Sequence, residues 1–401
     1  MAGSPATQRS ALVADWTYVD TPEALAPAVD ALRAATIIGF DTEFVGESTY
    51  EPVLCLLQVA TETGIWVIDP LSRLDLTAFW EALTAPGRTV VALAARQELL
   101  FCLRYAGRLP ETIFDPQIAA GLVGFGYPMS HTNMLLKVLD LRVHGGETVT
   151  DWRKRPLTSK QLEYSADDVR SLLTLRSALL ASAEALGRAE WLGAECARMT
   201  ERVIRSLTEE RWQRTPGATG LPRRVLAVLR ELWAWRDEEA RRSDVPQRRV
   251  LGDDMMIEVA KRSPKTPEDL LALRGMDRYR KSARDLVEAV RRALALPDAH
   301  LPALLRRDDP PQLSVLSSVL SVVAAGLAAD HKVDPALLAT SGDLQDLVRW
   351  QLKLPGAERP AIMDGWRGAI LGQPLLDLLN GKSVIRVHDV HARNPLRIDT
   401  A

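Results

Sequence analysis

Hydrophobic residues follow two different patterns along the chain. Residues 37–40, Ile-Ile-Gly-Phe, form an apolar, β-branched run that predicts a buried strand. Residues 157–175 repeat apolar positions at helical spacing, with Ser159 placed as the N-cap of that helix. Beyond about residue 215 the strand patterns stop and every predicted element is helical. These patterns predict an α/β domain followed by an all-helical part.

The helical part contains two turn-rich linkers, at residues 215–222 and 306–311. Between them the pattern predicts helices at residues 224–241, 253–261, 267–273 and 283–296. Gly275 suits a helix C-terminus. The apolar run 319–329 is too short to span a bilayer and predicts a buried helix, so we expect no membrane partner. The tail after Arg386 is expected to be poorly ordered.

Two acidic residues lie at the end of the predicted strand, two positions apart. Side chains alternate along a strand, so Asp41 and Glu43 would share one face of the sheet. Their charges repel, and a divalent cation such as Mg²⁺ or Mn²⁺ is the usual way to hold such hard oxygen ligands together. The spacing alone fits a solvent-facing pair equally well.

A second polar pair lies on the predicted helix 157–175. Tyr164 and Asp168 are four residues apart and therefore lie one above the other on one helical face. They can share one small site. Taken in isolation, the same spacing more often marks an exposed pair of polar side chains.

The order of these residues resembles the motifs of one enzyme family. Asp-Thr-Glu-Phe at 41–44, an acidic helix around Glu98 and Tyr-x-x-x-Asp at 164–168 are arranged as in the DEDD 3′–5′ exonucleases of the tyrosine type, and in particular the ribonuclease D family. Similar sequence continues through residues 51–60, 66–70, 114–120 and 150–158. The resemblance covers roughly residues 16–195 and implies an α/β ribonuclease H-like exonuclease domain with a mixed sheet.

The resemblance also implies roles for individual residues. Asp41 would bridge two divalent metal ions, Mg²⁺ or Mn²⁺, while Glu43 and Asp168 would bind the ion that serves the attacking water. Glu98 takes the place of the family's remaining aspartate, which serves the second metal. Tyr164 would orient the attacking water. Such a pair of ions stabilises both the attacking and the leaving oxygen in phosphodiester hydrolysis.

Three positions depart from the family pattern. Glu98 is one methylene longer than the expected aspartate, Leu93 stands where a histidine is common, and Gly145 where a lysine is common. These departures raise the alternative of a catalytically weakened RNA-binding protein. We still expect a working enzyme because all four carboxylates remain.

Candidate substrate contacts lie near both motifs. Arg153 and Arg155 flank the predicted helix, and guanidinium groups match phosphate oxygens well. The alternatives are surface ion pairs for the arginines and core packing for Trp152. Gln58, on the second predicted strand, is a further candidate for positioning the terminal nucleotide.

The helical part resembles HRDC domains. The match lies in Pro-Gln-Arg-Arg-Val-Leu at 246–251 and Leu-Arg-Gly-Met at 273–276, within residues 218–297, and residues 312–387 resemble a second, HRDC-like domain. Residues 219–297 contain 18 Lys and Arg against 13 Asp and Glu. A local basic surface fits an RNA contact, and a solvated surface of mixed charges is the alternative. The candidate contacts are Arg248, Arg249, Arg278, Arg280 and Lys281.

Composition narrows the possible functions. The 401 residues are 47% hydrophobic and 25% charged, which is ordinary for two or three globular domains. A net charge of −2 excludes a protein that coats nucleic acid with its whole surface. Cys55, Cys102 and Cys196 lack metal-site spacing and predict reduced, mostly buried thiols in the cytoplasm. The N-terminus lacks the apolar core of a signal peptide.

The expected protein is a monomeric 3′–5′ exoribonuclease that shortens RNA at a free 3′ end, with tRNA precursors as the leading partner and 5′-monophosphates as products. DNA is the alternative substrate, because carboxylates and metals do not distinguish the two sugars. The expected boundaries are a tail at 1–15, the exonuclease domain at 16–195, helical domains at 218–297 and 312–387, linkers at 196–217 and 298–311, and a tail at 388–401.

Overall fold

The computed structural model describes residues 15–142, 151–305 and 309–401, so Gly145 and most of the N-terminal tail lie outside the described residues. The chain divides into two compact units. Unit one contains the residues up to 43 together with residues 54–205 and 309–401, and unit two contains residues 44–53 and 206–308.

A mixed sheet forms the centre of unit one. Its strands in the described residues are β1 (Trp16–Val19), β2 (Ile37–Val45), β3 (Val53–Thr61), β4 (Gly64–Ile68), β5 (Thr89–Val91) and β6 (Thr112–Phe114), in the order β1-β4-β3-β2-β5-β6. Strand β1 is parallel to β4, and β3 is antiparallel to β4. Strands β2, β5 and β6 run parallel, with Gly39 opposite Val91 and Val91 opposite Phe114. The mixed sheet expected from the family resemblance is confirmed.

Helices cover the sheet. They are α1 (Pro22–Ala34), α2 (Thr77–Leu83), α3 (Arg96–Ala106), α4 (Pro116–Leu122), α5 (His131–Leu139), α6 (Ser159–Arg170), α7 (Leu172–Ala185) and α8 (Ala189–Thr208). On one face, the Phe40 ring packs against Phe79 and Trp80 of α2, with centroid separations of 6.5 and 6.2 Å. On the other face, a Cβ on Gly39 would lie 3.1 Å from Leu173 of α7. Glycine therefore lets α7 approach the centre of the sheet closely.

The helix predicted at residues 157–175 is two helices. Thr158, and not Ser159, is the N-cap of α6: its hydroxyl accepts from the amide of Gln161, whose side chain accepts from the Thr158 amide in a capping box. Ser159 is the first helical residue instead. Helix α6 ends at Arg170, and α7 begins after Ser171.

Unit two is helical apart from its loops. It contains α9 (Arg223–Ser243), α10 (Gln247–Val250), α11 (Asp253–Arg262), α12 (Pro267–Leu271) and α13 (Ala283–Leu294), so the predicted helices exist with their ends shifted by one or two residues. Gly275 has φ +83°, as expected for a left-handed position, but lies beyond the end of α12. The Tyr50 hydroxyl from the β2–β3 connection donates to Asp237 of α9 at 2.8 Å. That connection is therefore tied to α9 by a hydrogen bond and belongs to unit two.

The C-terminal part of unit one contains α14 (Gln312–Asp330), α15 (Pro335–Leu338), α16 (Ser341–Gln351), α17 (Gly365–Arg367) and α18 (Gln373–Leu379). Two expectations were wrong here. The tail after Arg386 is not disordered, because β7 (Ser383–Val387) pairs with β8 (Leu396–Thr400) in an antiparallel hairpin. The prediction of helices alone in this half failed because both strands are short and contain no buried residue, so neither has the apolar run that marks a buried strand.

The apolar run 319–329 belongs to a longer helix than expected. By length and composition, α14 is the one helix in the described ranges that could cross a membrane. It is not fully buried: Leu320 and Val323 face the packed interior, whereas Val315 is 63% and Val322 is 51% exposed. The prediction of a buried helix therefore holds for one face only.

Candidate active site

Three parallel strands deliver acidic residues to one edge of the sheet. Asp41 and Glu43 lie near the end of β2, Glu98 lies in the first turn of the helix that follows β5, and Asp115 directly follows β6. The carboxyl ends of neighbouring parallel strands meet at the same edge, which is where ligand sites form in open α/β sheets. The topology therefore gathers residues that are more than 70 positions apart in the chain.

Asp41 and Glu43 lie on the sheet face that α7 covers. They alternate with Phe40 and Thr42, whose side chains point to the opposite, hydrophobic core. Helix α6, which immediately precedes α7, carries Tyr164 and Asp168.

The site is electrostatically strained. Burial, followed by the negative charges of Asp168, Glu98 and Glu43, raises the pKa of Asp41 well above its ordinary value. Burial and the charges of Asp168 and Glu98 likewise raise the pKa of Glu43 to about 8. The negative charges of the neighbouring carboxylates therefore disfavour ionisation of Asp41 and Glu43, and a bound cation would relieve that repulsion.

Glu98 is fixed by the protein. Its Oε1 accepts a hydrogen bond of 2.8 Å from the Thr42 hydroxyl, which belongs to the other face of β2 from Asp41. Burial raises the pKa of Glu98 to about 7, and the charge of Asp115 contributes. At least one oxygen of Glu98 is thus engaged within the protein.

The described residues contain no group of three or more His, Cys, Asp or Glu side chains drawn together closely enough to enclose a metal ion. The donor set nevertheless suits one, since Asp41, Glu43, Glu98 and Asp168 supply only hard carboxylate oxygens. Burial and then the repulsion from the other carboxylates raise the pKa of Asp41, and a divalent cation would neutralise that repulsion.

Tyr164 lies among these carboxylates. Burial and then the charges of Asp168, Glu43 and Asp41 raise its pKa, which favours the protonated phenol. The ring lies 6.2 Å from that of Trp152, which is itself buried. Trp152 is therefore a packing residue that supports the tyrosine.

His131 is a site residue that the sequence did not reveal. Its Nδ1 lies 3.5 Å from Asp168 Oδ1, and its Nε2 is 2.9 Å from the Ser171 hydroxyl. The available signal was local: Ser130 before it is an N-cap and marks the start of a helix. Nothing in that pattern connects His131 with α6.

Arg155 has a different role from the one expected. A guanidinium has five N–H donors, and Arg155 directs them to Asp69, twice, and to the carbonyls of Cys55, Trp152 and Lys154. No donor remains for a phosphate, so the prediction of a substrate contact was wrong. Arg155 instead ties the segment before α6 to the sheet.

The other two candidates near the site differ from each other. Arg153 is exposed and pairs with Asp151 at 3.1 Å, which matches the surface ion pair named as its alternative. Gln58 is fully buried, and neither its amide nitrogen nor its amide oxygen has a hydrogen-bond partner among the described residues. Gln58 is two positions from Ala60 on the same strand, so the two side chains share one face of the sheet. A Cβ built on Gly39 would lie 3.4 Å from the Cβ of Ala60, which places this face under α7. An unpaired buried amide costs about 1–3 kcal/mol, so this side chain suits a ligand or a water.

The basic candidates of unit two are all exposed. Arg248 makes an ion pair of 3.2 Å with Asp253, and the Arg278 guanidinium lies 4.9 Å from the centre of the Tyr279 ring. Arg249, Arg280 and Lys281 make no ion pair with other described residues. These three are the side chains best placed to meet an anionic partner.

The three cysteines are buried and unbridged, as expected.

Comparison with known proteins defines the class. The family model described as a 3′–5′ exonuclease matches residues 16–184, and the HRDC domain model matches residues 225–290. The chain therefore combines a 3′–5′ exonuclease domain, with its acidic residues at the strand ends, and a helical domain of a nucleic-acid-binding type.

Similarity to whole proteins is more specific. Ribonuclease D of Gluconacetobacter diazotrophicus is 35% identical over 379 residues, covering 93% of this chain and 95% of that protein. Ribonuclease D of Pseudomonas paraeruginosa is 33% identical over 350 residues, covering 86% and 93%. The crystal structure of Escherichia coli RNase D, an exoribonuclease involved in structured RNA processing, superposes with a TM-score of 0.81 at 30% identity and covers 92% of this chain and 99% of that one. This chain belongs to the ribonuclease D family.

The family, the exonuclease fold and the HRDC domain predicted from the sequence are thereby confirmed. The second HRDC-like domain at 312–387 stays a prediction.

Proposed function

We propose that this chain hydrolyses RNA from its 3′ end, one nucleotide at a time, and releases 5′-monophosphates. The observation that carries the proposal is the placement of Asp41, Glu43 and Glu98 at the carboxyl ends of neighbouring parallel strands in a chain of the ribonuclease D family. We further propose that the protein acts as a monomer in the cytoplasm and that tRNA precursors are its leading substrates.

The carboxylates of Asp41, Glu43, Glu98 and Asp168 would hold two divalent metal ions, Mg²⁺ or Mn²⁺. Such ions supply an acidified water and charge neutralisation at the attacking and leaving oxygens. The water oxygen would attack the phosphorus of the last phosphodiester and give up a proton to solvent, the bond from that phosphorus to the 3′ oxygen would break, and the 3′ oxygen would take up a proton.

The chain's own residues orient this reaction. The Tyr164 hydroxyl, next to Asp168 on α6, would hold the attacking water in line. His131 would fix the orientation of Asp168 through the 3.5 Å contact. The Gln58 amide offers an unpaired donor and an unpaired acceptor, which a terminal nucleotide can satisfy.

Purified protein with Mn²⁺ and a 5′-labelled RNA oligonucleotide tests the proposal. Asp41→Asn, which keeps the shape and removes the charge, should slow 3′ shortening by about 100-fold or more. Asp167→Asn is the matched control, because Asp167 is an exposed neighbour that pairs with Arg170 on α6. Equal rates for wild type and Asp41→Asn would contradict the proposal. A DNA oligonucleotide of the same sequence identifies the sugar preference.

A second candidate function is an RNA-binding protein with weakened catalysis. The hydrogen bond between Glu98 and Thr42 favours it, because this bond engages one of the four carboxylates. Glu98→Asp tests how the longer side chain affects the reaction. A faster aspartate variant shows that the longer side chain limits the reaction, and a slower one shows that the site is adapted to glutamate. RNA binding without any shortening by the wild type would establish the second candidate.

A further inference from the structure

The turn between β5 and α3 has an unfavourable backbone conformation. Ala94 has φ +56°, in the left-handed region that side-chain-bearing residues seldom adopt. Its side chain is exposed, so no packing of the side chain itself explains the conformation. Glu98 follows within the first turn of α3, and the position of that helix start depends on this residue.

One buried carboxylate holds the turn in place. Asp115 Oδ1 accepts from the Ala94 amide at 3.1 Å and from the Gln117 amide at 2.8 Å, while Oδ2 accepts from the Ala95 amide at 3.2 Å. Asp115 is 4% exposed. The Asp115 side chain therefore holds the start of α3 and caps α4. It connects these two helices at the end of the sheet where Asp41 and Glu43 lie.

We propose that Asp115 is a positioning residue for Glu98. It touches neither the substrate nor, by its contacts, the proposed ions. By holding two consecutive amides, it stabilises the left-handed residue and sets where α3 begins, and so where the Glu98 carboxylate lies beside Thr42. The inference rests on the proposed function, because it assigns Glu98 to the second metal ion.

The chain contains a matched control, a second aspartate that accepts hydrogen bonds from two separate backbone segments. Asp334 also bridges two backbone segments: its Oδ1 accepts from the Ala336 amide and its Oδ2 from the Tyr127 amide, each at 2.9 Å. Asp115→Asn and Asp334→Asn should both lower the unfolding temperature, since asparagine keeps only one acceptor oxygen. Only Asp115→Asn should displace Glu98.

The experiment measures Mn²⁺ binding by calorimetry or electron paramagnetic resonance, together with the Mn²⁺ concentration that gives the half-maximal rate. Asp115→Asn should weaken Mn²⁺ binding by about ten-fold or more, as expected for a residue that orients a ligand, and Asp334→Asn should leave it unchanged. In a Glu98→Ala background, Asp115→Asn should have little further effect on Mn²⁺ binding, because it acts through Glu98.

A second pair of variants guards against misfolding of Asp115→Asn. Ala94→Val leaves Asp115 intact but disfavours the left-handed backbone, and it should weaken Mn²⁺ binding in the same way. Ala94→Gly tolerates that backbone and should bind Mn²⁺ like the wild type. Wild-type Mn²⁺ affinity in both Asp115→Asn and Ala94→Val would overturn the inference and leave the proposed function standing. A wild-type protein that binds no Mn²⁺ would overturn both.

Discussion

A buried ion pair joins the exonuclease fold to the C-terminal helices of unit one. The guanidinium of Arg367, in α17, makes a two-pronged pair with the carboxylate of Glu195, in α8. The two side chains are 10% and 7% exposed. The Trp366 indole also donates to Glu195, at 2.9 Å, and Arg367 Nε donates to the Leu337 carbonyl at 2.9 Å. We use this pair to test how strongly the C-terminal helices are held.

Replacing Arg367 by methionine keeps an extended side chain but removes the charge. Glu195 then stays buried with the indole of Trp366 as its close donor, and Arg198 lies 4.0 Å away. Removing one partner of a buried pair typically costs about 3–5 kcal/mol, and the lost bond to the Leu337 carbonyl adds about 1 kcal/mol. We therefore expect the free energy of unfolding to fall by about 4–6 kcal/mol, a large part of the usual total of about 5–15 kcal/mol.

The assay is equilibrium unfolding in urea, followed by tryptophan fluorescence. Trp366 stacks on Trp191 with a centroid separation of 5.0 Å, so two of the ten tryptophans of the chain lie at this junction and contribute to the signal. The matched variant is the double substitution Glu195→Leu/Arg367→Met, which removes both charges. It should be more stable than Arg367→Met alone, because no unpaired charge stays buried. A double-mutant cycle should then give a coupling of about 2 kcal/mol or more.

Two results would refute this reasoning. The free energy of unfolding could fall by less than about 1 kcal/mol in Arg367→Met, which would show that the pair contributes no more than a typical surface ion pair. Alternatively, the effects of the two substitutions could simply add, which would show that Glu195 and Arg367 do not depend on each other.

Three further predictions concern other charged residues. Arg155→Lys should lower the free energy of unfolding by about 2–3 kcal/mol, because an ammonium cannot replace five guanidinium donors; a raised KM with an unchanged unfolding temperature would restore its role as a phosphate contact. Burial alone would raise the pKa of Asp69, but hydrogen bonds from Arg155 and Tyr18 outweigh it and hold that pKa below its ordinary value. Asp69 therefore stabilises the fold above about pH 4 and loses this contribution as the pH falls through its folded-state pKa, so the stability difference between wild type and Asp69→Asn should shrink in acid titrations. Replacing Arg249, Arg280 and Lys281 by alanine should reduce the slope of log K against log salt for RNA by up to about 2, at about 0.7 for each lost phosphate contact; an unchanged slope would exclude them from the interface.

Local patterns in the sequence predicted much of the fold. The helices of unit two were predicted from their periodicity to within a residue or two, because each buries one face and shows the helical repeat locally. The capping residue of α6 was misplaced by one position, since Thr158 and Ser159 are chemically equivalent candidates. The hairpin of β7 and β8 was missed because both strands are short and have no buried face that an apolar pattern would mark.

Local patterns likewise predicted part of the candidate active site and missed the rest. The spacing of Asp41 and Glu43, and of Tyr164 and Asp168, placed each pair on one face of its own element, and the motif order indicated the family. The spacing of residues cannot show which hydrogen-bond partner a side chain has when the possible partners are distant in sequence. Arg155 was predicted to contact phosphate because nothing in the sequence near it indicated that Asp69 and three backbone carbonyls accept from all five of its donors.

The sequence by itself determined the periodicity of the elements, the order of acidic motifs and the family to which they belong, because these are properties of neighbouring residues. Only the tertiary structure decided that Arg155 is committed to Asp69, that Glu98 is bound by Thr42, and that His131 meets Asp168. Each of these contacts joins separate elements of the fold. Its formation depends on which buried donors and acceptors are left to pair after the elements have packed, and no local pattern contains that information.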